Sequence, residues 1–187
     1  MAEARAAFRA EMAAVPAEKL VFLDETGVKT SLTTTHGRAP RGVRVVEAVP
    51  HGHWQVLTVL GALTRDGVVA ALTIPAATDG DVFLTFVTAV LGPALQPGQV
   101  VVMDNLAAHK VPGVREAIEQ RGCTVRYLPP YSPDLNPIEN AWSKLKAHLR
   151  ALKARAAEAL EQGVAAGLRR ITGQDAQGYF AHCGYAL

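Results

Sequence analysis

Residues 127–142 read YLPPYSPDLNPIENAW and crowd four prolines just ahead of a glutamate and a tryptophan. Proline fixes φ, removes a backbone donor and biases the preceding residue toward extended geometry, so this stretch predicts a rigid, non-helical connector. The connector leads into a helix start, because Asn136 can cap, Pro137 fits the first helical position and Glu139 falls in the first turn. The sequence therefore predicts a helix over about 137–150 and a firmly held Glu139.

Outward from this stretch, apolar runs alternate with helical patterns. Strands are predicted at 20–26, 43–49, 53–64, 68–76, 99–105 and 124–128, with RDG at 65–67 as a tight turn. Helices are predicted over the opening residues up to Pro16 and over 79–91, 111–121, 137–150 and 153–171. This order predicts an α/β fold, with a mixed sheet of about five strands flanked by helices.

The bulk composition fits one soluble domain. The chain has 187 residues, 49% of them apolar, and a net charge of +2, which alone does not indicate a nucleic-acid partner. Cys123 and Cys183 lack the spacing of a zinc site or a disulfide scaffold. Because no signal peptide and no run of about 20 apolar residues is present, we expect a cytoplasmic protein with no membrane partner.

Three carboxylates occupy strand ends and a helix start, the positions at which active sites of α/β proteins form. Asp24 and Asp104 end apolar strands and Glu139 opens a helix, so all three are predicted to meet beyond one sheet edge. Carboxylates that converge repel one another unless cations lie between them, and hard oxygen ligands favour Mg²⁺ or Mn²⁺. Two such ions support phosphoryl transfer.

Each acid also has a structural interpretation that the residues alone leave open. Asp24 and Asp104 could cap the turns after their strands, and Glu139 could form a capping box with Asn136. The neighbours Glu25 and Asp134 could be ligands instead.

Three stretches resemble the catalytic blocks of the bacterial insertion-sequence 630 transposases of the mariner superfamily: VFLDETG (21–27), VVMDNLAAHK (101–110) and YLPPYSPDLNPIENAWSKLK (127–146). Thirty-four residues, 105–138, separate the second acid from the third, as is typical of that Asp-Asp-Glu group. The resemblance covers about 19–150. It implies a ribonuclease-H-like fold, with Asp24, Asp104 and Glu139 as catalytic residues and as ligands of two Mg²⁺ ions, for which Mn²⁺ can substitute.

The same resemblance suggests supporting residues beside the site: Glu25, Asn105, His109 and Asn136. His109 could orient a water or touch a phosphate, or it could be a histidine at a helix start with no chemistry. Trp142 shares an apolar stripe with Leu145 and Leu149, which favours core packing over base stacking.

Basic residues predict contacts with DNA phosphates. The polar side of the 137–150 helix carries its cations on the face of Glu139, and no acid occurs between Asn140 and Arg155. Such a run is usually only a solvated face, but its alignment with Glu139 favours phosphate contacts. The DNA-binding candidates are Lys146, Arg150 and Lys153, with Lys110 and a basic loop carrying Arg38, Arg41 and Arg44.

The sequence predicts a helical linker at 1–18, a catalytic domain at 19–150 and a helical extension of that domain at 151–187. Members of the resembled family ordinarily carry helix-turn-helix modules, which we expect a fused or separate upstream frame to supply. The resemblance implies a transposase that cleaves transposon ends and joins them to target DNA as a homo-oligomer in the nucleoid. The alternatives are a non-catalytic DNA-binding relic or regulator, and a ribonuclease-H-like nuclease acting on RNA–DNA hybrids.

Overall fold

Five strands form one mixed sheet in the computed structural model, which describes residues 2–187. The strands are β1 Leu20–Lys29, β2 Val56–Thr64, β3 Gly67–Ile74, β4 Val100–Met103 and β5 Thr124–Tyr127, in the spatial order β3-β2-β1-β4-β5. The pairs β1–β2 and β2–β3 are antiparallel, whereas β1–β4 and β4–β5 are parallel. The predicted mixed sheet is confirmed, and so is the two-residue hairpin at Arg65–Asp66.

Helices cover both faces of this sheet. They are α1 Ala2–Ala13, α2 Gly80–Thr85 with a π-helical continuation Phe86–Leu91, α3 Val114–Glu119, α4 Pro137–Leu152, α5 Ala157–Arg169 and α6 Gly173–His182. Successive strand residues point to opposite faces, so Phe22 packs with the core under α1, α4, α5 and α6 and Leu23 packs with the core under α2 and α3. None of the helices within residues 2–187 is both long and apolar enough to cross a lipid bilayer.

The predicted strand at 43–49 is wrong. Residues 30–55 form an irregular exposed loop between β1 and β2, and Val46 is 83% exposed. The composition favours a strand, but β2 takes the antiparallel position beside β1 over Phe22–Lys29, and residues 43–49 join no strand of the sheet. The predicted loop at 30–42 is therefore longer than expected, and the strand predicted from 53 begins at Val56.

The C-terminal part also differs from the prediction of one helix over 153–171. Lys153 has a φ of 54° and ends α4, and the chain then forms α5 and α6 as two helices. The second of them begins at a capping box, in which Thr172 accepts from the backbone N–H of Asp175. That Thr-x-x-Asp pattern is a local signal that the sequence analysis overlooked.

Helix α1 packs on the same core as the helices that surround the candidate site. Phe8 and Met12 are its buried residues, and Glu11 pairs with Arg126 of β5. These contacts tie α1 to the sheet, although the division of the chain at residue 18 stays a prediction.

We expect Phe8→Ala to lower the free energy of unfolding by about 3 kcal/mol, because the buried ring leaves a cavity in the main core. Guanidinium denaturation would measure the loss, with the exposed Glu3→Gln as a control that changes stability by less than about 0.5 kcal/mol. Equal stability of the two variants would show that α1 does not stabilise the domain.

Candidate active site

One cavity of about 280 Å³ brings together the three predicted catalytic acids. Its lining includes Asp24 from β1, Asp104 from the residue after β4 and Glu139 from the first turn of α4. The proline-rich stretch at 127–136, called the proline connector below, closes one side of this cavity through residues 128–133. Three elements far apart in the chain therefore present carboxylates to one space.

Asp24 does not end its strand, as the sequence suggested, but lies in the middle of β1. The strand continues because β2 pairs with it as far as Lys29, whereas its parallel pairing with β4 stops at Phe22. Asp24 thus stands beyond the end of β4 but inside the sheet, where it is 9% exposed. Its Oδ2 accepts a hydrogen bond of 3.0 Å from the indole N–H of Trp142.

Burial and, to a smaller extent, the nearby charge of Glu139 raise the pKa of Asp24, which lies at about 7. The backbone N–H of Glu25 and the indole of Trp142 oppose the rise, and Asp104 adds a smaller contribution in the same direction as Glu139. Like charges across the cavity therefore disfavour full ionisation of the metal-free site.

The pKa of Asp104 is shifted in the opposite direction, below its usual value. Burial alone would raise its pKa, but contact with His109, the N–H of Leu106 and the charge of Lys110 together lower it. The Leu106 N–H donates to Oδ1 at 2.9 Å, and Nδ1 of His109 lies 2.7 Å from the same oxygen. Asp104 is therefore held as a carboxylate in a fixed orientation.

The structure places the side chain of His109 behind the cavity lining. It is fully buried and stacks on Phe83 with ring centroids 4.1 Å apart, so it reaches the cavity through Asp104 and not directly. Its Nδ1 is in close contact with Asp104, although neither ring nitrogen makes a hydrogen bond of regular geometry within residues 2–187. The burial depends on α2, which sequence spacing around Asp104 could not reveal.

Glu139 is exposed at the start of α4, and the capping-box alternative is not formed. Asn136 stands at the cap position, yet among the described residues its side chain makes no cap hydrogen bond. Its Oδ1 is instead buried without a partner, while the residue lines the cavity. Glu139 and Asn136 thus both have oxygens free of competing contacts beside Asp24.

The proline connector is fastened from both sides. Arg5 of α1 donates to Ser132 Oγ at 2.8 Å and to Asp134 Oδ1 at 2.9 Å. Tyr185 donates its hydroxyl to the carbonyl of Leu135 at 2.6 Å. Asp134 therefore pairs with Arg5 and, at 3.6 Å, with Arg9, and the connector is fixed by tertiary contacts as well as by its prolines.

The other two supporting candidates differ in position. Asn105 lines the cavity and donates its amide to the carbonyl of Leu128, which joins the ends of β4 and β5. Glu25 follows Asp24 on the strand and so points to the opposite face, where its Oε2 is buried without a hydrogen bond inside the described chain. The influence of Glu25 on the site comes from its backbone N–H, which opposes the rise in the pKa of Asp24.

The predicted DNA-binding cations fall into separate groups. Arg38, Arg41 and Arg44 are exposed on the 30–55 loop, and Lys110 lies 5.2 Å from the ring centroid of Tyr127. A second cavity, of about 350 Å³, is lined by Lys146 and Arg150 of α4 and by Lys29 of β1, which the sequence analysis missed. Lys153 forms an ion pair with Glu47, so its charge is partly neutralised.

The donor set of the first cavity suits a hard divalent cation. Its acids are carboxylates, Asn136 adds an unpartnered oxygen, and no thiolate lines it. In residues 2–187, however, no three His, Cys, Asp or Glu side chains form a compact ligand cluster. The acids surround an open space rather than a closed cage.

Comparison with known sequences identifies the family. The family model described as DDE superfamily endonuclease matches residues 19–161, well over half of the chain. The chain belongs to this family. No curated protein matches the chain.

Solved structures show which fold this DDE endonuclease shares. The Mos1 transposase paired-end complex with the left transposon end is 14% identical, with a TM-score of 0.79 over 97% of this chain and 57% of the other. The catalytic domain of the Mos1 mariner transposase is 14% identical, with a TM-score of 0.72 over 97% and 85%. The chain spans little more than half the length of the first of these transposase chains. The fold of the present chain is the ribonuclease-H-like fold of the catalytic domain.

Proposed function

We propose that the chain is the catalytic domain of a bacterial transposase of the insertion-sequence 630 group. It would hydrolyse phosphodiester bonds at transposon ends and join the freed 3′-hydroxyl to target DNA. The observation that carries the proposal is the cavity in which Asp24, Asp104 and Glu139 meet in a DDE superfamily endonuclease. The three sequence blocks and the 34-residue spacing support the same assignment.

Divalent cations are part of the proposal. Asp24, Asp104 and Glu139 would hold two Mg²⁺ ions, or Mn²⁺ in their place, and structures of the similar Mos1 transposase include one with Mn and one with Mg. Such ions, when bound, supply charge neutralisation at the scissile phosphate and promote deprotonation of the attacking oxygen. The chain itself contributes a buried Asp24, an oriented Asp104 and a Glu139 held by the fastened connector.

DNA would reach the site along basic surfaces. Lys29, Lys146 and Arg150 line the second cavity, beside the C-terminal half of α4, and the 30–55 loop adds three exposed arginines. The similar Mos1 structures are paired-end complexes, which supports a homo-oligomer assembled on DNA. A helix-turn-helix region from a fused or separate upstream frame would recognise the ends, and the protein would work in the cytoplasm at the nucleoid.

Removal of the His109 contact should weaken metal binding. His109→Phe keeps an aromatic ring against Phe83 but loses the contact that orients Asp104. We expect Mn²⁺ affinity, measured by calorimetry, to fall about tenfold, as is usual when a partner of a ligand is removed. Phe83→Leu, which disturbs the stack and leaves the contact, is the control, and an equal loss in both variants would assign the effect to packing alone.

Nicking of supercoiled DNA tests the proposal directly. The wild type and Asp104→Asn would be incubated with Mn²⁺ and three substrates: a plasmid, a linear duplex and an RNA–DNA hybrid. The proposal expects Mn²⁺-dependent nicks with 3′-hydroxyl ends in DNA, and none from the variant. Preference for the hybrid would favour the general nuclease, whereas DNA binding without cleavage, unaltered by the substitution, would favour the relic.

A further inference from the structure

Helix α4 supplies two groups to the candidate site, one of which the sequence assigned to the core alone. Glu139 opens the helix, and Trp142 follows three residues later, so the two side chains lie on neighbouring positions of one face. The Trp142 ring is buried, but its Nε1–H donates to Oδ2 of Asp24 at 3.0 Å. One helix therefore carries an acid of the site and a donor to a second acid.

Gly61 makes this contact sterically possible. It is the Cα partner of Asp24 in the β1–β2 ladder, so it faces the same space as Asp24. A Cβ added to Gly61 would lie 2.5 Å from Cη2 of Trp142, closer than real contacts allow. Because Gly61 has no side chain, β2 leaves a space into which the indole of Trp142 extends to reach Asp24.

The chemistry of the indole suits a metal ligand. Its N–H can only donate, so it binds Oδ2 of Asp24 and cannot itself act as a competing ligand for a cation. Being neutral, it adds no positive charge that would compete with a cation, unlike a lysine or arginine at that place. A hydrogen bond to a buried carboxylate also limits the rotation of that carboxylate.

We propose that Trp142, seated over Gly61, is a positioning residue that fixes the orientation of Asp24 for metal binding. This inference rests on the proposed function, since it takes Asp24 to be a ligand. It also explains why a tryptophan, rather than another large apolar residue, occupies this position in α4: phenylalanine or leucine could fill the core but could not donate.

The test separates the N–H from the bulk of the ring. In a Trp54→Phe background, which leaves Trp142 as the only tryptophan, Trp142 is replaced by benzothienylalanine, whose sulfur removes the donor and keeps the shape. We expect Mn²⁺ affinity to fall about tenfold or more with little change in melting temperature. Gly61→Ala should act in the same direction, whereas Gly27→Ala, with open space around its added Cβ, should not.

A metal-free measurement keeps the two proposals apart. The indole N–H resonance of Trp142 should shift in Asp24→Asn and stay in place in Asp104→Asn. An unchanged resonance in Asp24→Asn, or full Mn²⁺ affinity in the isosteric variant, would overturn the positioning role. If the resonance responds but the wild type binds no Mn²⁺ and cleaves no DNA, the contact stands, and both the metal ligation and the positioning for metal are overturned.

Discussion

Asp104→Asn is expected to reduce metal-dependent DNA cleavage about a thousandfold or more while leaving the fold intact. The amide has the shape of the carboxylate, and its oxygen can still accept from the N–H of Leu106. It lacks the negative charge that a divalent cation requires of this ligand. Glu139→Gln should behave in the same way, because Glu139 is exposed and makes no packing contact that the amide would lose.

Nicking rates with Mn²⁺ would measure the effect, and circular dichroism would show that each variant is folded. Glu161→Gln is the matched control, since it neutralises an exposed helical glutamate far from the cavity lining. Its cleavage rate should equal that of the wild type. Cleavage retained in both Asp104→Asn and Glu139→Gln would contradict their role as ligands.

The metal-free protein is expected to lose stability as the pH rises from about 4 to above 7. Burial raises the pKa of Asp24 from 3.8 to about 7, so between these values the folded state holds a proton that the unfolded state has released. The stabilisation is fully present below the unfolded pKa and is lost as the pH rises through the folded value. At 1.36 kcal/mol per pKa unit, this amounts to about 4 kcal/mol at most.

Guanidinium unfolding with EDTA at pH 5 and pH 8 would test this expectation. Asp24→Asn should remove most of the difference and be more stable than the wild type at pH 8, with Asp81→Asn as an exposed control. Asp104 acts with the opposite sign, because its lowered pKa gives stability that is lost only as the pH falls through acidic values. An equal slope in the wild type and Asp24→Asn would show that Asp24 is ionised at neutral pH.

Local signals predicted the elements around the connector well. The prolines and Asn136 determine where α4 begins, because they act on the backbone of their own neighbours, and the helix indeed starts at Pro137. The hairpin at Arg65–Asp66 is equally local, since Gly67 has a φ of 125°. The approach of Asp24 and Asp104 was predictable because each acid stands two residues beyond the segment in which β1 and β4 run parallel side by side.

Features that depend on distant partners were not predictable in this way. The length of β1 is determined by its pairing with β2, so the sequence could not tell that Asp24 lies inside the strand. The burial of His109 depends on Phe83, and the donor to Asp24 depends on Gly61, which is remote in sequence from Trp142. Composition favoured a strand at 43–49, but β-propensity has little effect in a segment that pairs with no strand of the sheet.

The fastening of the proline connector has a practical consequence for anyone who handles this protein. Arg5 belongs to α1 and Tyr185 follows α6, so both residues that hold the connector lie outside the family match at residues 19–161. A fragment cut to that match would keep all three acids but would lose both fasteners. Failure of such a fragment to bind metal would therefore report a loosened connector rather than absent chemistry, so metal titrations and nicking assays should keep α1 and Tyr185.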